Sequence, residues 1–198
     1  MTQLKPESED ISLMKRVSGG DETAFSSLYA AYHSKIRNFF FSLTRNNCLS
    51  ADLTQETFLR IWKFRERYSV SGSFLSYIFG FSRNIWLEQC RKNRRQYSSE
   101  LDDASAIEIE RFMAVPSPKP DTAADRTEIN EKIFDALEEL PDEQRMVFLL
   151  RSVEGLSLEE IAVVMQCPRN TVRSRQITAL KKLRQLLMPA YGSEIKSI

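Results

Sequence analysis

The chain has 198 residues, 42% of them hydrophobic and 10% aromatic, with 28 Lys or Arg set against 27 Asp or Glu; this is room for one medium globular core or two small ones. Six Gly and seven Pro exclude a low-complexity protein, no apolar run reaches the roughly 18 residues of a spanning helix, and Lys5, Glu7, Glu9, Asp10, Lys15 and Arg16 break up the segment where a signal peptide would lie. Cys48, Cys90 and Cys167 form no CxxC spacing, His33 is the single histidine and no Gly-rich phosphate loop occurs, so the expectation is a soluble cytoplasmic protein that is not an enzyme, with no catalytic residue, no metal, no cofactor and no membrane insertion of its own.

Every periodic segment is helical. From Phe25 the apolar residues Leu28, Tyr29, Tyr32, Ile36, Phe39, Phe40 and Leu43 follow one face of a 3.6-residue period. A second helix is predicted over about Ala51–Arg65, burying Phe58, Ile61 and Trp62. On its opposite side Asp52, Gln55, Glu56 and Leu59 fall at i, i+3, i+4 and i+7, a stripe that suits either solvent or a protein partner. The turn "YSVSGS" follows, then a long helix over about Ser73–Arg95. Its first half is apolar on most sides (Phe74, Leu75, Tyr77, Ile78, Phe79, Phe81, Ile85, Trp86), which places it centrally in a bundle. Its end, "RKNRR", is basic and suits water or a polyanion. Aromatic and basic side chains interleaved in this way serve as core, or as a surface that stacks unpaired bases and tracks their backbone.

Charge is distributed unevenly along the chain. Residues 1–97 hold 15 basic and 9 acidic side chains, residues 98–127 hold 3 and 7, and residues 128–198 hold 10 and 11. The middle segment carries Pro116, Pro118 and Pro120 without sustained periodicity and reads as an acidic linker, with room for a short helix around Ile107–Met113. Beyond it Ile129, Ile133, Leu137 and Leu140 form a helical stripe, and "LPDEQR" opens another helix with Pro141 in its first turn, ended by Gly155. Ser157 and Glu160 make an S-x-x-E capping box for a short helix over about 157–165, whose buried face is predicted to be Leu158, Ile161, Ala162 and Met165.

After a tight turn comes a longer helix from about Pro168–Thr171. Val172, Ala179, Leu180, Leu183 and Leu187 are expected inside, and Arg169, Asn170, Arg173, Ser174, Ile177, Lys181 and Arg184 outside. From Gln166 to Leu187 there are six Lys or Arg and no Asp or Glu. A short helix, a turn and a long basic helix have the spacing of a helix-turn-helix, whose second helix offers its first residues to base edges in the major groove. The fold class is therefore all-α: two small helical domains, a helix bundle and a helix-turn-helix, joined by a flexible acidic linker.

In this order, "DLTQETFLRIW", "SFLSYIFGFSRNIWLEQCRKNRR" and "LPDEQRMVFLLRSVEGLSLEEIAVVMQCPRNTVRSRQITALKKLRQLL" resemble the extracytoplasmic-function (ECF) sigma factors of bacterial RNA polymerase. The resemblance covers residues 11–97, similar to the family's region 2, and 128–188, similar to its region 4, with 98–127 as the linker. It implies a transcription initiation factor that binds core RNA polymerase, reads a −35 duplex, and melts and reads a −10 element. Core RNA polymerase, promoter DNA and an anti-sigma factor are the partners it implies. Asp52, Gln55, Glu56, Leu59 and Arg60 would grip the polymerase's largest subunit. Tyr68, Ser71, Ser73, Phe74, Tyr77, Arg83, Asn84, Arg91, Lys92, Arg94 and Arg95 would meet −10 DNA, the turn at about Tyr68–Ser73 holding a flipped base. Arg169, Asn170, Thr171, Arg173, Ser174, Arg175 and Lys181 would meet the −35 duplex. The chain departs from the family's habit in having Gln166 and Asn170 where many relatives have Gly, Tyr77 for Trp, Glu88 for Asp, and the less polar Ile177 and Thr178. The competing expectation is a stand-alone helix-turn-helix regulator whose N-terminal bundle senses or dimerises.

Overall fold

The computed structural model describes residues 7–69, 72–100 and 124–191, all of whose regular elements are helical. They belong to two compact units. The first contains α1 (Glu7–Ser18), α2 (Glu22–Thr44), α3 (Asn47–Lys63), a single 3₁₀ turn (Arg65–Arg67) and α4 (Phe74–Glu100). The second contains α5 (Ala124–Glu138), α6 (Asp142–Phe148) with a π-type turn over Leu149–Val153, α7 (Leu158–Met165) and α8 (Arg169–Tyr191). Helices α4 and α5 run into both ends of the segment expected as linker; the predicted helix around Ile107–Met113 lies outside the described residues. No helix among the described residues is long and apolar enough to cross a membrane.

Helix α1 was not anticipated. Its signal was present, since Asp10, Met14 and Val17 recur at i, i+4 and i+7, and all three are buried. Gly20 at φ 90° turns the chain, and Asp21 caps α2 by accepting from the Ala24 amide at 3.0 Å. That bond, helped by Thr23 and Arg16, holds the Asp21 carboxyl down at about 2. Asn46 repeats the device at the head of α3, accepting from the Leu49 amide at 3.0 Å, so α3 starts four residues before its predicted Ala51.

The first core combines Leu28, Ile36, Phe39, Phe40 and Leu43 of α2, Leu53, Phe58 and Ile61 of α3, and Phe74, Ile78, Phe79, Ile85 and Trp86 of α4. Thr54 and Thr57 are buried on α3 because their hydroxyls donate to the carbonyls of Ser50 and Leu53, at 2.7 and 2.8 Å. Trp62, expected inside, is only half-buried: its ring is covered by Phe25 at 5.0 Å and by the Arg65 guanidinium at 4.5 Å.

In the second unit Pro141 stands at the cap position of α6 rather than within it, and its carbonyl accepts from the Gln144 and Arg145 amides. The missing amide hydrogen is as harmless there as in the first turn. Gly155, at φ 76°, leads out of the π-type turn. The capping box forms as predicted: the Ser157 hydroxyl accepts from the Glu160 amide at 3.2 Å, and the Ser157 amide donates to the Glu160 carboxylate at 2.8 Å. Ser157→Ala is expected to lower stability of this unit by about 1 kcal/mol. Chemical denaturation followed by circular dichroism measures it; an unchanged midpoint would remove the cap from the account.

Ile161 and Met165 of α7 are buried, but Leu158 and Ala162 are half-buried and Val164 takes the remaining inner place. On α8, Val172, Ala179 and Leu183 are the inner residues, at i, i+7 and i+11. Leu180, expected inside, is 45% exposed because it sits one helical step of about 100° past Ala179. Leu187 is half-buried, and Ile133 of the predicted α5 stripe is 38% exposed while Leu137 and Leu140 are buried.

Candidate nucleic-acid and docking interfaces

Three surfaces collect the residues singled out by the sequence. On α3, Asp52 and Gln55 are exposed, Glu56 is half-buried and Leu59 is 55% exposed. Leu59 is thus an apolar side chain in water at the C-terminal end of the polar stripe. Arg60 completes the stripe but is already engaged. Its Nε donates to Glu56 at 2.7 Å, and its two Nη groups donate to both oxygens of Glu88 on α4, at 2.8 and 2.6 Å. These bonds raise the Arg60 guanidinium above its ordinary value and, through Arg60 first, hold the Glu88 carboxyl low. Arg60 therefore fastens α3 to α4 and sets the wall of a shallow groove lined by Glu56, Leu59, Lys63 and Phe64. In the sequence Glu88 stands out only as a departure from the family's Asp, because a fork-to-fork pair 28 residues apart has no local signal.

The second surface lies at the head of α4. Ser73 is buried and caps the helix, accepting from the Ser76 amide at 3.2 Å. Phe74 is 1% exposed and packs against Tyr32, with ring centroids 5.0 Å apart. Both were expected at DNA; their side chains instead anchor the helix. The reason is geometric, since the first turn of a central helix meets the core on the side where Phe74, Ile78 and Phe79 lie.

What reaches solvent there is a row of half-buried rings. Tyr68 meets Tyr77 edge-on at 4.9 Å, Tyr77 meets Phe81 at 5.1 Å, Phe81 stacks on Phe64 at 6.4 Å, and the Arg67 guanidinium lies 5.2 Å from the Phe64 centroid. Phe64, Arg67 and Phe81 were missed as members of a surface, because aromatic residues of a bundle read first as core. Burial and then Tyr68 push the Tyr77 phenol up to about 12; burial and then Asp10 raise that of Tyr68. Further along α4, Arg83 is half-buried and donates to the exposed Asn84 at 3.3 Å, while Arg91, Lys92 and Arg94 are exposed. From Tyr77 to Arg91 the helix rises about 21 Å, and at about 100° per residue these two positions lie within about 40° of each other around it. Arg95 lies on α4, whereas Ser71 lies outside the described residues.

The third surface is the helix-turn-helix. Gln166 closes α7 in the left-handed region (φ 51°, ψ 43°), its amide bonded to the Ala162 and Val163 carbonyls. Pro168 then opens α8, its carbonyl accepting from Thr171 and Val172. A non-Gly residue pays about 1–2 kcal/mol for that conformation. Because glycine also gains freedom in the unfolded chain, Gln166→Gly is expected to stabilise this unit by about 0.5–1 kcal/mol. Thermal denaturation tests this; a lowered midpoint would contradict it.

Along α8, Asn170, Arg173, Ser174, Ile177 and Lys181 are exposed at i, i+3, i+4, i+7 and i+11, with exposed Arg169 and half-buried Thr171 at the N-terminal end. Arg169 pairs with Glu159 of α7. Arg175 stands apart from this face: it pairs with Glu143 of α6 and approaches the Cys167 sulfur at 3.5 Å, so it braces α8 against α6 and the turn. Among the described residues no group of His, Cys, Asp and Glu is arranged to hold a metal ion.

Comparisons with known proteins agree with this layout. The family model described as Sigma-70 region 2 matches residues 28–96, and that described as Sigma-70, region 4 matches residues 130–183. The ECF RNA polymerase sigma-E factor of Salmonella typhimurium is 30% identical over 185 residues, covering 91% of this chain and 95% of that protein. The RNA polymerase sigma-H factor of Pseudomonas aeruginosa is 30% identical over 183 residues with the same coverage, 91% and 95%. Among solved structures, the sigma factor RpoE of Bartonella quintana, crystallised with the anti-sigma factor NepR, is similar at a TM-score of 0.64 and 25% identity, over 82% of this chain and 96% of that one. CnrH, solved with the cytosolic domain of CnrY, has a similar fold at a TM-score of 0.69 and 20% identity, over 91% and 98% of the two chains.

Proposed function

The chain belongs to the ECF sigma factors of the sigma-70 family, and we propose that its three surfaces divide between them the work of bringing core RNA polymerase to a promoter. As a member it is a promoter-specific transcription initiation factor. Asp52, Gln55, Glu56 and Leu59 dock on the core enzyme, with Arg60 holding their helix to α4 rather than reaching outward. The row of Tyr68, Tyr77, Phe81 and Phe64 receives bases of the melted −10 strand, and Arg67, Arg83, Asn84, Arg91, Lys92, Arg94 and Arg95 follow its backbone. Arg169, Asn170, Thr171, Arg173, Ser174 and Lys181 face the −35 duplex, with Arg175 bracing the helix that carries them. The units at 11–97 and 128–188 act as regions 2 and 4 on either side of a linker.

The outward face of α8 carries the reading: a helix-turn-helix on which the exposed Arg173, Lys181 and Arg184 share one side with the amide of Asn170. Duplex recognition of this kind supplies about 1–3 kcal/mol of discrimination for each bidentate base contact, while phosphate contacts set the register. Melting then requires a base to leave the stack, at a cost of a few kcal/mol. Stacking on an aromatic side chain returns about 1–3 kcal/mol per base. With a net charge of only +1 the protein need not bind DNA tightly alone; the polymerase holds it in place. It contributes no catalytic group, works in the cytoplasm beside the polymerase, and is held in check by an anti-sigma factor, a reading supported by the similarity to RpoE of Bartonella quintana, solved with the anti-sigma factor NepR.

A stand-alone regulator is not favoured, because it leaves Leu59 and the ring row of α4 without a task. Photo-crosslinking tests the assignment directly. A benzoyl-phenylalanine at Leu59 should capture the polymerase's largest subunit, and one at Ile177 should capture −35 DNA within the same holoenzyme–promoter complex. Capture of DNA from both positions would overturn the division of labour.

A further inference from the structure

The most buried carboxylate among the described residues, Asp10 at 3% exposed, lies outside the surfaces assigned above. It is carried by α1, and burying a charged group there is unfavourable unless hydrogen bonds offset it. The Tyr32 hydroxyl of α2 supplies one, donating to Asp10 Oδ2. The ring of Tyr32 meets Phe74, the first residue of α4, at 5.0 Å; Phe74 meets Tyr77 at 6.3 Å, and Tyr77 meets Tyr68 at 4.9 Å. Helix α1 packs directly on the 3₁₀ turn that leads into Tyr68, and also on α4. The Tyr68 hydroxyl is buried with no hydrogen-bond partner among the described residues, on the side where the Asp10 charge is felt.

We infer that Asp10 is a positioning residue for promoter reading: through Tyr32 and Phe74 it fixes where the Tyr68 and Tyr77 rings stand at the head of α4. A charge-assisted hydrogen bond is short and directional, and ring pairs hold preferred angles. A constraint applied at Asp10 is therefore passed to the rings that receive a base, whose placement has to be kept within about 0.5 Å. The inference rests on the base-stacking role proposed for that ring row.

Holoenzyme assembled from core polymerase and the full chain is titrated with single-stranded −10 oligonucleotides, each base in turn replaced by an abasic residue. With the unmodified protein, one position should carry a penalty of about tenfold, the worth of a stacked base. Asp10→Ala and Tyr32→Phe should cut that penalty to about threefold or less, leaving the penalties at other positions and the affinity for core polymerase unchanged. Asp10→Asn keeps an oxygen that accepts from Tyr32 and should retain most of the penalty. Tyr32→Phe removes a single hydroxyl, so the experiment stands even where Asp10→Ala fails to fold. If both variants keep the original profile, or weaken binding evenly at every position, Asp10 has no positioning role. If the unmodified holoenzyme shows no position with a penalty, the base-stacking role fails first and the inference falls with it.

Discussion

Leu59→Asp is expected to weaken holoenzyme formation on the order of 100-fold while leaving the folded protein as stable as before. Leu59 is 55% exposed at the end of a polar stripe, so it contributes little to the core of its own unit. Substitutions at such positions usually change stability by no more than about 0.5 kcal/mol. In a docked complex the same side chain would be a central apolar anchor, and truncating an anchor typically costs about 2 kcal/mol or more. A carboxylate in its place adds an unpaired buried charge next to Glu56. Affinity for core polymerase and thermal denaturation, measured on the same sample, separate the two effects. Weakened binding with an unchanged midpoint supports the docking face; unchanged binding removes it.

Arg173→Ala is expected to lower transcription about 10- to 100-fold at promoters that depend on the −35 element, and to relax base preference at one or two of its positions. Arg173 is exposed on the second turn of α8, beside Asn170 and Ser174. Arg175→Ala should behave differently. Its guanidinium is held by Glu143 and lies near Cys167, so its loss should weaken all −35 sequences together and loosen the unit. Run-off transcription on promoters varied one base at a time distinguishes the two. Equal loss at every sequence for Arg173→Ala would make it a phosphate contact rather than a reader.

Much of this was legible in the sequence because it depends on local rules. The Ser157–Glu160 box, the outer face of α8 and the polar stripe of α3 follow from spacing within one helix. Features that depend on two helices were not. Whether Arg60 points outward depends on Glu88, 28 residues away in the chain. Whether Arg175 faces DNA depends on Glu143, 32 residues away. Ser73 and Phe74 were placed at DNA by their position in the motif, but the rotation of α4 in its bundle turns them inward and leaves Tyr77 and Phe81 at the surface. Leu180 reads as an inner residue of a wide apolar stripe, whereas the side of α8 that packs is the narrower one of Val172, Ala179 and Leu183. Helix α1 was overlooked for a different reason, since its opening residues were read for targeting signals and not for period.

The most direct measurement is run-off transcription from a genomic promoter library with purified core RNA polymerase, with and without this protein. Transcripts are expected that appear only when the protein is added, from promoters sharing two upstream elements at a fixed spacing. No added transcripts, together with tight binding of a symmetric duplex site by the protein alone, would contradict it and make the chain a free-standing regulator.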